Sequence, residues 1–156
     1  MIIKSFELNK IKIKDYKLYL FYGDNEGLKE ETIRNLFEKN YQDKIHRYEE
    51  KEILDNINSF FNSVLTKSFF DKEKLIIINR ATDKIKEIIE DLIEKNLEDV
   101  TIILNSKNLE KKSILRKIFG KEKSIICVPF YEDNNQTLNS IISLFLEIKK
   151  FQYRSN

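Results

Sequence analysis

Three uninterrupted apolar runs rich in β-branched residues leave this chain few ways to fold: residues 74–78 (Lys-Leu-Ile-Ile-Ile), 100–104 (Val-Thr-Ile-Ile-Leu) and 124–128 (Ser-Ile-Ile-Cys-Val). A strand with one wet face alternates apolar and polar residues. A run without that alternation is covered on both faces, as in parallel sheets flanked by helices. Residues 18–22 (Leu-Tyr-Leu-Phe-Tyr) read as a further strand and 44–48 as a weaker one. Between them, Ile53, Ile57, Phe60, Phe61 and Val64, and then Ile85, Ile88, Ile89, Leu92 and Ile93, recur at helical spacing and predict one-sided amphipathic helices. Ile114, Leu115, Ile118 and Phe119 predict another over 109–119, with Gly120 just past its end. Strands alternating with helices of this length predict an α/β fold built on a doubly wound parallel sheet.

The pattern changes after Pro129. Residues 132–136 are polar and read as a linker, and Leu138, Ile141, Ile142, Phe145 and Ile148 predict one more helix with no second layer to pack on. The expected organisation is a domain over 1–131, then a linker and the first helix of an incomplete second domain over 132–156. Charged residues make up 35% of the chain, yet 28 basic against 26 acidic residues leave a net charge of +2, so any nucleic-acid contact must be a local patch. The one cysteine, Cys127, lies in an apolar run and reads as a buried hydrophobe, which points to a reducing cytoplasm. No apolar run approaches the roughly 18 residues that span a bilayer, and the N-terminus lacks a signal-peptide core. The expected setting is cytoplasmic, without membrane contact.

Residues 18–31 have the layout of a phosphate-binding strand, turn and helix. In the P-loop pattern G-x-x-x-x-G-K-[ST], glycines let backbone N–H groups wrap the phosphates, the lysine reaches the outer oxygens, and the hydroxyl holds Mg²⁺. With Gly23 as the first glycine, Lys29 is in frame, but Leu28 replaces the second glycine and Glu30 the hydroxyl. Asp24, Glu26 and Glu31 add negative charge where a triphosphate would sit, and like charges about 4 to 6 Å apart repel by several kcal/mol when partly desolvated. The residues predict an ordinary strand-to-helix turn with Asp24 or Asn25 as N-cap, and no nucleotide hydrolysis.

Ligands of open α/β sheets gather at the carboxyl ends of the strands. Asn79-Arg80 stands where a P-loop ATPase carries its Mg²⁺-binding acid; Asp83 lies too far on and reads, with Thr82, as a helix cap. A receiver domain needs an Asp after its third strand and a Lys after its last, and here those strands end in Asn79 and Val128-Pro129. His46 has no Ser, Cys or metal-type partner near it in sequence. No catalytic triad, metal cluster or cofactor cradle is legible, so an enzyme acting alone is not expected. One connection is unusual: residues 66–73 are polar except for the adjacent Phe69 and Phe70. One of the pair can plug the sheet edge while the other lies on the surface, or the two can form an exposed wedge for a partner.

The strand and turn at 18–26, Ser68-Phe69-Phe70 just before the strand at 74, Asp99-Val-Thr-Ile-Ile-Leu and Ile125-Ile-Cys-Val-Pro-Phe together resemble the delta subunit of the bacterial DNA polymerase III clamp loader. The likeness covers residues 1 to about 131. It implies a P-loop NTPase or AAA+-like three-layer αβα domain with a degenerate nucleotide site at Gly23, Leu28, Lys29 and Glu30, and a part in DNA replication. It also implies that Ser68, Phe69 and Phe70 form a wedge entering a hydrophobic pocket on the sliding clamp (the beta subunit), favouring the open ring. The family is a subunit of a DNA-directed DNA polymerase holoenzyme, a nucleotidyltransferase, and needs no cofactor of its own. Its third, collar domain joins the other clamp-loader subunits, and this chain reads as stopping short of it. Two other readings stand beside this one. Lys29 could still hold nucleotide weakly, or Lys111, Lys112, Arg116 and Lys117, with Lys107, Lys121 and Lys123, could face DNA.

Overall fold

The computed structural model describes the chain apart from residues 42–43, 67–72, 96, 133–137, 140–141, 144–145, 148 and 151–156. Two 3-10 turns, Ser5–Lys10 and Ile13–Asp15, lead into β1 (Leu18–Tyr22). Helix α1 (Glu26–Thr32) runs on through a π-helical stretch, Ile33–Glu38, to α2 (Lys39–Tyr41). Then come β2 (Ile45–Glu49), α3 (Glu50–Asp55), α4 (Ile57–Leu65), β3 (Lys74–Asn79), α5 (Lys86–Glu94), β4 (Val100–Asn105), α6 (Ile114–Lys121) and β5 (Ile126–Pro129). The five strands form one sheet in the order β2-β3-β4-β1-β5, and every neighbouring pair is parallel.

Alternation along β1 divides its side chains between two cores. Leu18, Leu20 and Tyr22 pack with Ile53, Phe60 and Val64 of α3 and α4, Ile88, Ile89 and Leu92 of α5, and Leu115 and Phe119 of α6. Tyr19 and Phe21 point the other way, onto Leu8 of the N-terminal arm and onto Ile33, Phe37 and Tyr41. The sheet is therefore covered on both faces, by four helices on one and by α1, α2 and the arm on the other. Adjacent β1 and β4 lead to helices on opposite faces, α1 and α6, so the topological switch point lies between their carboxyl ends.

Three expectations need correction. The helix expected through Ile53 and Val64 is two helices: Asn56 adopts a non-helical backbone (φ −148°, ψ 69°) and its side chain accepts the Ser59 N–H, so it ends α3 and caps α4. The apolar spacing runs through the break because both helices face one core. Helix α6 starts at Ile114, capped by Ser113, rather than at 109, and Gly120 lies inside it rather than beyond it. Strand β2 is weak in sequence because it is the sheet edge, with His46 and Arg47 exposed. The expected linker falls almost wholly outside the described residues, as do Ile141, Phe145 and Ile148. The described positions between 138 and 150 have helical backbone and leave Leu138, Ile142 and Leu146 exposed.

Candidate functional site

The turn after β1 is built by non-local hydrogen bonds. Gly23 has φ +125°, and a Cβ there would lie 2.1 Å from the Phe130 carbonyl oxygen, so only glycine fits. Its N–H donates to the Lys107 carbonyl (3.2 Å), and the Asn25 N–H donates to that of Phe130 (3.1 Å). Asn25 is the N-cap: its Oδ1 accepts the Leu28 N–H (3.2 Å), while its carbonyl accepts the Lys29 N–H (3.1 Å). The Glu26 N–H turns back to the Asp24 carbonyl (2.9 Å). A phosphate cradle needs N–H groups aimed at open space, and these are aimed at protein oxygens.

Lys29, in frame for a phosphate, is fully buried. Its Nζ donates to the Ser106 carbonyl (2.6 Å) and to Glu26 Oε1 (2.8 Å), which bolts α1 to the end of β4 across the switch point. Leu28 is half-buried against the core on the α1 face. Glu30 Oε1 accepts from Asn105 Nδ2 (3.3 Å), which also reaches Asn79 Oδ1 (3.3 Å), and Glu30 Oε2 lies 3.7 Å from Arg47. The crevice above the strand ends is lined by Glu26, Glu30, Glu49, Asn79, Arg80 and Asn105, among others. Arg80, in left-handed conformation (φ 56°), turns outward onto Glu49 (3.2 Å). Three of the lining side chains, Glu26, Glu30 and Glu49, are carboxylates. Among the described residues, no group of three or more His, Cys, Asp or Glu is arranged to hold a metal ion, and no helix is long and apolar enough to cross a membrane.

The basic residues near α6 differ in their surroundings. Arg116 is half-buried, donates to the Leu109 carbonyl (3.2 Å) and lies 5.1 Å from the centre of the Tyr22 ring, so it is a packing residue. Lys112 pairs with Glu110 (3.0 Å), whereas Lys107, Lys111, Lys117, Lys121 and Lys123 are exposed. The N-terminus of α6 already holds an anion. Asp83 accepts from Ser113 Oγ (2.7 Å), Ile114 N–H (3.0 Å) and Leu115 N–H (3.0 Å). Burial pushes the Asp83 carboxyl up, but those donors and nearby Lys117 outweigh it and hold the pKa below the usual carboxylate value.

Sequence reasoning assigned Asp83 to a local cap with Thr82 and missed this longer reach. Thr82 does cap its own turn, through the Lys84 N–H (3.3 Å). Glu50 was also missed; it is buried and accepts from the Thr82 N–H (2.7 Å) and hydroxyl. Its only sequence signal is a carboxylate beside an apolar helix face. Cys127 is buried, as expected, and burial pushes its thiol up to about 11. Ser68, Phe69 and Phe70, with Lys67, Asp71 and Lys72 around them, lie outside the described residues. The described residues bring the flanks of that segment together: Lys74 Nζ reaches back to the carbonyls of Ser63 and, at 3.2 Å, Thr66 at the end of α4.

Comparison with known proteins bears on this arrangement. A family model described as DNA polymerase III, delta subunit, matches residues 19–129. Among solved structures, the Bacillus subtilis DNA clamp loader delta protein (YqeN) superposes with a TM-score of 0.60 at 16% identity, over 83% of this chain. The chain spans 43% of that protein's length, and at this identity the likeness speaks for the fold. A search of curated proteins returns no match.

Proposed function

Because the chain belongs to the DNA polymerase III delta subunit family, we propose that it works in DNA replication by gripping the sliding clamp and helping to open it, and that it does not hydrolyse nucleotide itself. The observation that carries this reading is the use of the phosphate turn against itself. Gly23, Asn25, Leu28 and Lys29 direct their N–H groups, and Lys29 its ammonium, at the protein's own oxygens. A scaffold of ATPase type whose phosphate donors serve packing is suited to holding a partner.

The contact itself is assigned to Ser68, Phe69 and Phe70. A phenylalanine buries roughly 150 to 250 Å². Two in an apolar pocket, at about 25 cal/mol per Å², contribute on the order of 8 to 12 kcal/mol. Association opposes this by about 4 to 15 kcal/mol, so rim contacts from Lys67, Asp71 or Lys72 are needed for firm binding. Co-elution with a sliding clamp tests the assignment: the parent chain should travel with the clamp and the Phe69→Ala, Phe70→Ala double variant should not. Equal co-elution of both would remove the wedge.

DNA contact within a loader is a subsidiary role for Lys111 and Lys117, which are exposed on α6 and just before it. Arg116, whose guanidinium lies over Tyr22, and Lys112, paired with Glu110, are the less available members of the group. Binding through these lysines should weaken steeply as salt rises and should survive loss of both phenylalanines.

A further inference from the structure

Helix α4 carries two apolar rows, and the fold buries one of them. Phe60 and Val64 belong to the core. Ile57, Phe61 and Leu65 recur every fourth residue and form a second row beside the first. Phe61 is half-buried and packs against Phe60 (ring centres 6.0 Å apart), but Ile57 is 41% exposed and Leu65 46%. At 1.5 Å per residue the row runs about 12 Å along the helix. Leu65 is the last residue of α4, and Lys74 Nζ, bonded to the Ser63 and Thr66 carbonyls, holds that end beside the start of β3.

The surroundings of the row differ from those of an ordinary surface helix. Residues 56–66 include no charged side chain, in a chain of which 35% is charged. The exposed polar residues flanking the row are Asn58, Ser59 and Asn62. By contrast, α5 turns Glu87, Glu90, Asp91 and Glu94 outward, and α6 turns out Lys117 and Lys121. A surface helix normally sets charged residues opposite its apolar stripe. Large exposed apolar side chains with charge depleted around them are the composition of the centre of a protein contact. Lys95, whose Nζ lies 5.7 Å from the centre of the Phe61 ring, stands at the border as a rim residue does.

We propose that the outer row of α4 is a docking face for the sliding clamp, continuous with the contact assigned to the connection that follows; this rests on the clamp-binding reading above. Its occupant is an apolar, uncharged strip of the clamp surface. Continuity selects that partner, because the row ends at Leu65, where the chain leaves α4 for the connection to β3. A polyanion such as nucleic acid would meet no counter-charge over 56–66. The wedge phenylalanines need further contacts to outweigh the cost of association, and the row supplies apolar area for them.

The test is a calorimetric titration of the full chain with a sliding clamp. Ile57→Glu with Leu65→Lys breaks the row at both ends, suits the helix dipole at each, and keeps the net charge at +2. This double variant should bind the clamp about tenfold or more weakly, with an unchanged thermal midpoint because neither residue is buried. Asn62→Arg, which adds a charge on the flank and removes no apolar contact, should weaken binding in the same direction. If both α4 variants bind like the parent while the Phe69→Ala, Phe70→Ala variant does not, the docking face is overturned and the wedge stands. If the phenylalanine variant binds like the parent and the α4 variants do not, the wedge falls and the docking face stands. A parent chain that does not bind the clamp overturns both.

Discussion

Lys29 and Gly23 show why a motif and its use can separate at the scale of single residues. Lys29 keeps the spacing of a phosphate-binding lysine, but its ammonium is held by an oxygen distant in sequence, the Ser106 carbonyl. Replacing it with methionine keeps the stem and leaves that carbonyl without its donor. Lys29→Met should lower stability by about 1 to 3 kcal/mol in urea unfolding. A titration with labelled ATP should show no saturable binding before or after the change. Gly23→Ala meets two penalties at once, a side chain at φ +125° and a Cβ 2.1 Å from the Phe130 oxygen. Strain and overpacking together should remove about 2 to 5 kcal/mol, visible as a large fall in thermal midpoint. The departures from the P-loop pattern at Leu28 and Glu30 were legible in the residue types around Gly23. The place Lys29 occupies was not legible, because it depends on a carbonyl that the sheet brings alongside, and the same holds for Arg116 over Tyr22.

At the scale of elements, the strands were easier to read than the helix ends. Continuous apolar runs mark β3, β4 and β5 because each is covered on both faces, whereas edge position dilutes the signal of β2. Helix ends depend on groups far away in sequence. The start of α6 is fixed by Asp83 from the turn before α5, which is why spacing alone put it elsewhere. The Asp83 link has a pH signature. Its folded pKa is depressed, so its stabilising effect is present above the unfolded carboxylate value and is lost as pH falls through the folded one. Asp83→Asn should lower stability by about 0.5 to 2 kcal/mol at neutral pH. It should also flatten the acid limb of a stability curve measured by urea unfolding; an unchanged limb would count against the link. Asn56→Ala, which removes the cap between α3 and α4, should lower stability by about 1 kcal/mol by the same measurement.

For the whole molecule, the proposed role moves the working contact from the crevice above the strand ends to the connection between α4 and β3. Each phenylalanine of the wedge, replaced alone by alanine, should weaken clamp binding by about 2 to 4 kcal/mol, measured by calorimetry, without changing the thermal midpoint. The fold-level reading was available from the alternation of runs and helices. The wedge came from resemblance, because two adjacent aromatics in a polar connection fit a plug as well as an anchor. The position of β1 between β4 and β5 has a further consequence, in time. The ribosome makes Met1 and β1 early, yet their neighbours Cys127 and β5 emerge more than 100 residues later. Both flanks of β1 are bare until β4 is made and one stays bare until β5 follows, so synthesis carries an incomplete sheet as far as β5. Slowing translation over residues 60–120 should therefore prolong the interval in which the nascent chain is open to proteases and in need of chaperones.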